Sequence, residues 1–190
     1  MVFKDAYMSR RVIGIVAVIA TCAVFGWAGD CYGKSQRATE YQIKAAYIYN
    51  FAKFVDWPSK AFPNANSPII IGVLGEDPFG DALEQAVKDK TVNGRKLQVK
   101  RFDNVRNVEH CHILFISASE KMRLSKALER AKGLNVLTVS DIGGFARRGG
   151  IIGFTTERNK VGFEINVDAA KKAELTVSSQ LLKLAKVVGG

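Results

Sequence analysis

Between Thr39 and Pro58 apolar residues recur at three- and four-residue steps: Ile43, Tyr47, Phe51 and Phe54, with Ala46, Asn50 and Val55 beside them. That period predicts an amphipathic helix with an aromatic face, started by Ala38 or Thr39 and stopped at Trp57-Pro58. Aromatic residues at helical spacing normally cover a sheet, and Asn50 is the polar exception on that side.

A Pro/Asn/Ser linker, Pro63 to Pro68, then leads into Ile69-Ile70-Ile71-Gly72-Val73-Leu74, a run with no polar face that reads as a fully buried strand. Gly75-Glu76-Asp77-Pro78 turns it into a helix over Phe79 to Val87. Leu97, Val99 and Arg101 alternate as a second strand, and His112 to Ser117 forms a third. Ser119 caps a helix through Ala131 that ends at Gly133, and Val136 to Ser140 is a fourth strand. Strands alternating with helices predict an α/β domain, a three-layer sandwich with a mostly parallel mixed sheet flanked by helices. The last third changes character. Ile151 to Phe154 and Val161 to Asn166, joined by the polar turn Glu157-Arg158-Asn159-Lys160, predict an antiparallel hairpin. A short helix or turn over Val167 to Ala173 follows, and Ser178-Ser179 opens a last helix with Leu181, Leu182, Leu184 and Ala185 on its apolar side.

The first thirty residues belong to a different pattern. Lys4, Arg10 and Arg11 precede Val12 to Trp27, about sixteen residues without a charge, and Gly26-Trp27-Ala28 places small residues where a signal peptidase cuts. The expected organisation is a signal peptide over 1–28, a flexible mature N-terminus over 29–38 and a single domain over 39–188, exported to the periplasm.

Of the 190 residues, 28 are Lys or Arg and 18 are Asp or Glu, a formal net charge of +10. Losing the leader lowers this to about +8, which favours approach to an anionic surface or an acidic partner. The cations are scattered, no zinc-finger or RNA-binding signature is present, and export removes the chain from nucleic acid, so nucleic acid is not an expected partner. The glycines at 72, 75 and 80 match neither a dinucleotide nor a phosphate-loop fingerprint. His110-Cys111-His112 is the one cluster of metal-ligand residue types, and on a strand it places two histidines on one face where a structural zinc needs four ligands. With two histidines in the chain, a histidine-dependent triad has few ways to form, so neither enzyme activity, a metal nor another cofactor is expected.

Three features remain as candidate sites. The loop Glu76, Asp77 and Phe79 lies at the carboxyl end of the first strand, where open α/β sheets bind small molecules. The segment Asp141 to Gly150, with four glycines, presents Phe145, Arg147 and Arg148 to a partner, and the Asn159-Lys160 turn joins that surface if the hairpin brings them together. Cys111 is a candidate redox residue, either paired with Cys31 or buried as a small hydrophobe.

These residues also carry a resemblance. Tyr41-Gln42-Ile43-Lys44-Ala45-Ala46-Tyr47-Ile48-Tyr49-Asn50-Phe51-Ala52-Lys53-Phe54-Val55-Asp56-Trp57-Pro58 resembles the opening helix of the YfiR-like family of exported bacterial proteins. The similarity continues through Cys111 to Ser117, Leu137 to Asp141, Phe145-Ala146 with Gly149 to Phe154, Asn159 to Asn166 and Ser178 to Ala185. It implies a periplasmic, non-enzymatic, dimeric regulator. Such a regulator binds the periplasmic sensor region of an inner-membrane signalling enzyme and represses a diguanylate cyclase, in cyclic-di-GMP signalling, with an outer-membrane lipoprotein as a further partner. The alternative from the residues alone is a periplasmic small-molecule-binding protein. The family's redox behaviour rests on two disulfides, whereas here only Cys111 falls at a matching position and Phe145 to Ile152 contains no cysteine.

Overall fold

The apolar runs around Ile71, Leu114 and Val139 lie side by side in the computed structural model of the protein, which describes residues 28–189, with side chains from Thr39 onward except Glu109 and His110. In chain order the elements are α1 (Ala28–Phe54), β1 (Val55–Asp56), β2 (Ile69–Leu74), α2 (Ala82–Val87), β3 (Thr91–Val92), β4 (Arg95–Phe102), β5 (Ile113–Ile116), α3 (Leu124–Ala131), β6 (Leu137–Ser140), β7 (Ile152–Glu157), β8 (Lys160–Asn166), α4 (Val167–Lys172), β9 (Thr176–Val177), α5 (Ser179–Leu184) and β10 (Lys186–Val188). Residues 40–190 form one compact unit. The expected signal peptide lies, but for Ala28, outside the described residues, and no described helix is long and apolar enough to cross a membrane.

Eight strands make one mixed, largely parallel sheet in the order β10-β8-β7-β6-β5-β2-β4-β3, while β1 and β9 form a separate antiparallel pair. Only β7–β8 and β3–β4 pair antiparallel within the large sheet. The hairpin expected in the C-terminal third is therefore present, and its turn is built on Arg158 and Asn159, both at positive φ, which matches the twist of the strands it joins. Chain direction across the sheet reverses at β2: β4 lies to one side of it and β5 to the other. Both faces of the central strands are buried. Ile71, Val73, Ile113, Phe115, Leu137 and Val139 point to the face covered by α1 and α2, and Leu74, Leu114 and Ile116 to the face covered by α3 and Phe145.

α1 meets the sheet along a stripe different from the expected one. Ala45, Ile48, Phe51, Ala52 and Val55 are buried, whereas Ile43 is 41% exposed and Ala46 is exposed. The small side chains of Ala45 and Ala52 let the helix sit close to the sheet, and its rotation brings Tyr47 and Phe51 onto the hairpin. Phe51 and Tyr47 meet Phe163 edge-on at 5.2 and 5.3 Å, the arrangement aromatic quadrupoles favour, and Phe154 lies tilted against Phe51 at 5.7 Å. The helix also begins at Ala28, so residues 29–38, expected to be flexible, are part of it.

Other boundaries move for local reasons. Phe79 precedes α2 rather than opening it, because Asp77 Oδ1 accepts from the Phe79 N–H (2.8 Å) and holds a turn. Ser117, not Ser119, caps the segment after β5, which runs as a 3-10 turn over Ala118–Arg123 before α3. Ser178 caps α5 as its position suggests, by accepting from the Leu181 N–H (3.3 Å). Beyond α5 the chain adds β10 to the sheet edge, a strand too short to show a period.

His112 occupies a built environment. Its Nδ1 accepts from the Ile70 N–H (3.0 Å), its Nε2 donates to the Ala61 carbonyl (3.1 Å), and Trp57 Nε1 donates to the His112 carbonyl (3.2 Å). Phe62 stacks on the imidazole at 4.4 Å and the Arg95 guanidinium lies on Phe62 at 3.8 Å, donating to the carbonyls of Asn64 and Ser67. This closes the Pro63 to Pro68 linker onto the sheet. Burial, with Arg95 adding a smaller like-charge effect, lowers the His112 pKa below its ordinary 6.5. A group whose folded pKa is depressed contributes stability above its unfolded pKa and loses that contribution as pH falls through the folded value. The protein is therefore expected to lose thermal stability as pH drops below about 6.5, and His112→Gln should flatten the pH dependence of Tm between 6.5 and 5. An unchanged slope in that variant would refute the role.

Gly150 shows why the Gly-Gly pair before β7 is needed. A Cβ there would stand 2.1–2.5 Å from the Phe145 ring, whereas one at Gly143 would meet nothing within 4 Å. Gly150→Ala is expected to lower unfolding free energy by about 1–3 kcal/mol, with Gly143→Ala nearly neutral, as read by denaturant titration.

Candidate functional site

The carboxyl ends of β2, β5 and β6 align through the register Leu74, Ile116 and Ser140. Because direction reverses at β2, the crevice outside these ends is where an open α/β sheet ordinarily receives a ligand. Gly75, at φ +87°, makes the turn that leaves β2, and the Glu76 N–H donates to Ser119 Oγ (3.0 Å) from the neighbouring loop.

Polar groups from distant segments converge at this end. α1 carries Lys44, 3% exposed, whose ammonium donates to Asp141 Oδ2 (2.8 Å) just past β6 and pairs with Glu40 Oε1 (2.8 Å). The Tyr41 hydroxyl donates to the same Asp141 oxygen (2.7 Å), and the Lys44 ammonium lies 4.3 Å from the Tyr41 ring. Thr156 on β7 donates to Glu40 (3.1 Å). Tyr41 meets Phe79 edge-on at 5.4 Å, and Phe79 meets Phe115 at 4.7 Å. Asp141 Oδ1 is buried and has no hydrogen-bond partner among the described residues. Chemically this is a desolvated cation held by two carboxylates and a phenol, sealing the crevice rather than opening it.

The three residues expected to bind a small molecule go separate ways, and only Phe79 joins that seal. Phe79 is 5% exposed between Tyr41 and Phe115. Asp77 Oδ2 accepts from Arg101 Nε (2.7 Å), and Arg101 also pairs with Glu84, whose carboxyl it holds below its ordinary value. Only Glu76 of the three is exposed. They do not converge on an open cavity, because one fills the core and another neutralises an arginine.

The expected partner surface is also rearranged. Phe145 is 1% exposed and packs with Leu74, Leu114 and Ile116, so its ring is not offered to a partner, and Ala146–Arg148 form a 3-10 turn. Arg147 and Arg148 are exposed, and Arg147 Nη2 stands 3.6 Å from Glu164, which Lys186 also approaches at 3.5 Å. Asn159 and Lys160 are exposed at the hairpin tip. The two patches do not meet: β7 runs away from the Arg147 turn for six residues before the tip, a separation of about 20 Å at the rise of an extended strand.

Cys111 is a free, buried cysteine whose Sγ donates to the Val108 carbonyl (3.2 Å). Burial pushes its thiol up to about 12, so it stays protonated and is a poor redox group. The Cys31 and His110 side chains lie outside the described ones. Ser140 Oγ donates to the Ile116 carbonyl (2.6 Å) and accepts from the Ile142 N–H (3.0 Å), at the end of the sheet opposite His112. Among the described residues no three of His, Cys, Asp and Glu group as a metal site.

Sequence reasoning missed Lys44, Tyr41 and Asp141. Lys44 reads as an ordinary helix-surface lysine, and its one signal is the position four residues after Glu40 and on the helix edge next to Ala45 and Ile48. Lys44→Ala should cost about 3–5 kcal/mol, because it leaves Asp141 buried without its cation, and restoring part of that loss with Asp141→Asn in the double variant would identify the uncompensated charge as the cause.

Comparison with known proteins adds two results. Residues 41–186 match a family profile described as YfiR/HmsC-like. Among solved structures, a conserved domain protein from Vibrio cholerae O1 biovar El Tor strain N16961 is 13% identical with a TM-score of 0.47, over 64% of this chain and 54% of that one. The ABC domain from Streptococcus pneumoniae, solved in complex with L-Trp, is 10% identical with a TM-score of 0.45, over 63% of this chain and 55% of that one. The chain thus spans about half the length of these solved chains.

Proposed function

The chain belongs to the YfiR/HmsC-like family, and from that premise we propose that it is a periplasmic, non-enzymatic regulator that binds the sensor region of an inner-membrane signalling enzyme and represses a diguanylate cyclase. The observation that carries the reading is the extent of the family match: residues 41–186 run from α1 through the hairpin and α5 to the first residue of β10, so the resemblance belongs to the whole domain rather than to one motif. The protein acts as a homodimer, and an outer-membrane lipoprotein relieves the repression.

Two surface features suit such a partner. The Arg147-Arg148 turn presents two guanidinium groups, with Glu164 shared between Arg147 and Lys186, so the patch keeps a positive balance for an acidic surface. The hairpin tip at Asn159-Lys160 offers a second, separate point of attachment. Cys111 takes no part in release, because a protonated, buried thiol does not exchange readily.

Deleting the gene in its own host is expected to raise cellular cyclic-di-GMP, and the wild-type chain should restore the lower level. A folded Arg147→Glu/Arg148→Glu variant should restore it poorly, since exposed substitutions of this kind change stability by under about 0.5 kcal/mol and act through the surface. An unaltered cyclic-di-GMP level in the deletion strain would overturn the proposal.

A further inference from the structure

Away from the sealed crevice, the opposite end of the sheet is open. The segments entering β6 and β7 and leaving β8 meet α3 and α4 around a cleft of about 410 Å3, within the range of small-molecule sites. Leu128, Ala131, Val136, Ile151 and Ala173 give its walls their apolar part. The polar groups of the wall are already engaged. Thr138 Oγ1 accepts from the Ile151 N–H (3.0 Å), and Asn166 donates to the Ala146 carbonyl (2.8 Å) while accepting from the Ala169 N–H (2.9 Å). With the Thr138 and Asn166 side chains so engaged, the interior favours an apolar occupant.

The rim is different. Three cations, Lys132, Arg147 and Lys172, border the cleft against one acid, Asp168. Lys132 pairs with Glu129 and Arg147 leans toward Glu164, two carboxylates that stand outside the cleft, whereas Lys172 makes no ion pair among the described residues. An unpaired ammonium next to an apolar hollow is complementary to a molecule with a negative head and an apolar body.

We propose that this cleft binds a small amphipathic anion, with its carboxylate at Lys172 and Arg147 and its hydrocarbon body against Ala131, Val136, Ile151 and Ala173. The site is distinct from the Glu76 to Phe79 loop, and it stands whether or not the regulator reading holds. Asp168 on the same rim disfavours a second negative charge, so a monoanion is bound in preference to a dianion.

Octanoate is the probe. Calorimetric titration of the purified protein should give saturable one-to-one binding, and octanoate should displace 8-anilinonaphthalene-1-sulfonate from the native protein. Lys172→Glu, an exposed substitution that leaves the fold intact, should weaken octanoate at least tenfold, whereas Lys126→Glu, on α3 but outside the cleft, should leave it unchanged. Ala173→Trp, which fills the cleft, should abolish binding while circular dichroism remains native; Lys172→Glu decides the matter alone if that variant does not fold. Absence of saturable binding, equal affinity for octylamine, or full affinity in Lys172→Glu would overturn the proposal.

Discussion

Lys44 brings an ammonium into a place where almost none of it reaches water, and desolvation on that scale costs several kcal/mol unless opposite charge and hydrogen bonds replace the lost hydration. Asp141 and Glu40 supply the charge and the Tyr41 hydroxyl completes the shared carboxylate oxygen. This one cluster ties the middle of α1 to the segment just past the central strand β6 and, through Thr156, to the hairpin. Once α1 is held there, its register over the sheet is set, and Ile48 and Phe51 fall over the core while Ile43 turns to solvent. The aromatic contact of Tyr47 and Phe51 with Phe154 and Phe163 follows from the same placement.

The cluster also decides which end of the sheet is available. A reversal of chain direction at β2 makes a crevice at the carboxyl ends, and Tyr41, Lys44, Phe79 and Asp141 occupy it. At the other end, the His112, Phe62 and Arg95 stack closes the part beside β2 and β5, leaving open the part between α3 and α4. The exposed arginines lie near that opening, with Arg147 on its rim, so the chemistry presented by this protein is concentrated on short loops carried by a rigid sheet. The regulator role proposed above suits such a rigid frame better than a mobile lid, because preorganised surfaces lose less entropy on binding.

Much of this was legible along the chain, and the reason differs by element. The run Ile69 to Leu74 can only be a strand buried on both faces, and the hairpin is announced by two apolar runs around a polar turn. Ser178 caps the last helix because a hydroxyl at that point has one obvious use. Phe145 could not be read the same way: among four glycines and two arginines it looks like a loop aromatic, and only the space left by Gly150 shows that it belongs to the core. Arg147 and Asn159 look like neighbours when the hairpin is imagined folded, yet a strand of six residues separates them.

By itself, then, the sequence determined the alternation of strands and helices and the mixed sheet, because those rest on periodicity and short-range turn chemistry that each segment carries alone, while the family followed from the resemblance of its separated motifs. Tertiary structure decided the rotation of α1, the burial of Phe145, the inert state of Cys111 and the choice of open end. Lys44 and Asp141 stand 97 positions apart. No local pattern can register a charge pair that exists only after two segments with no shared period have been brought together and dried.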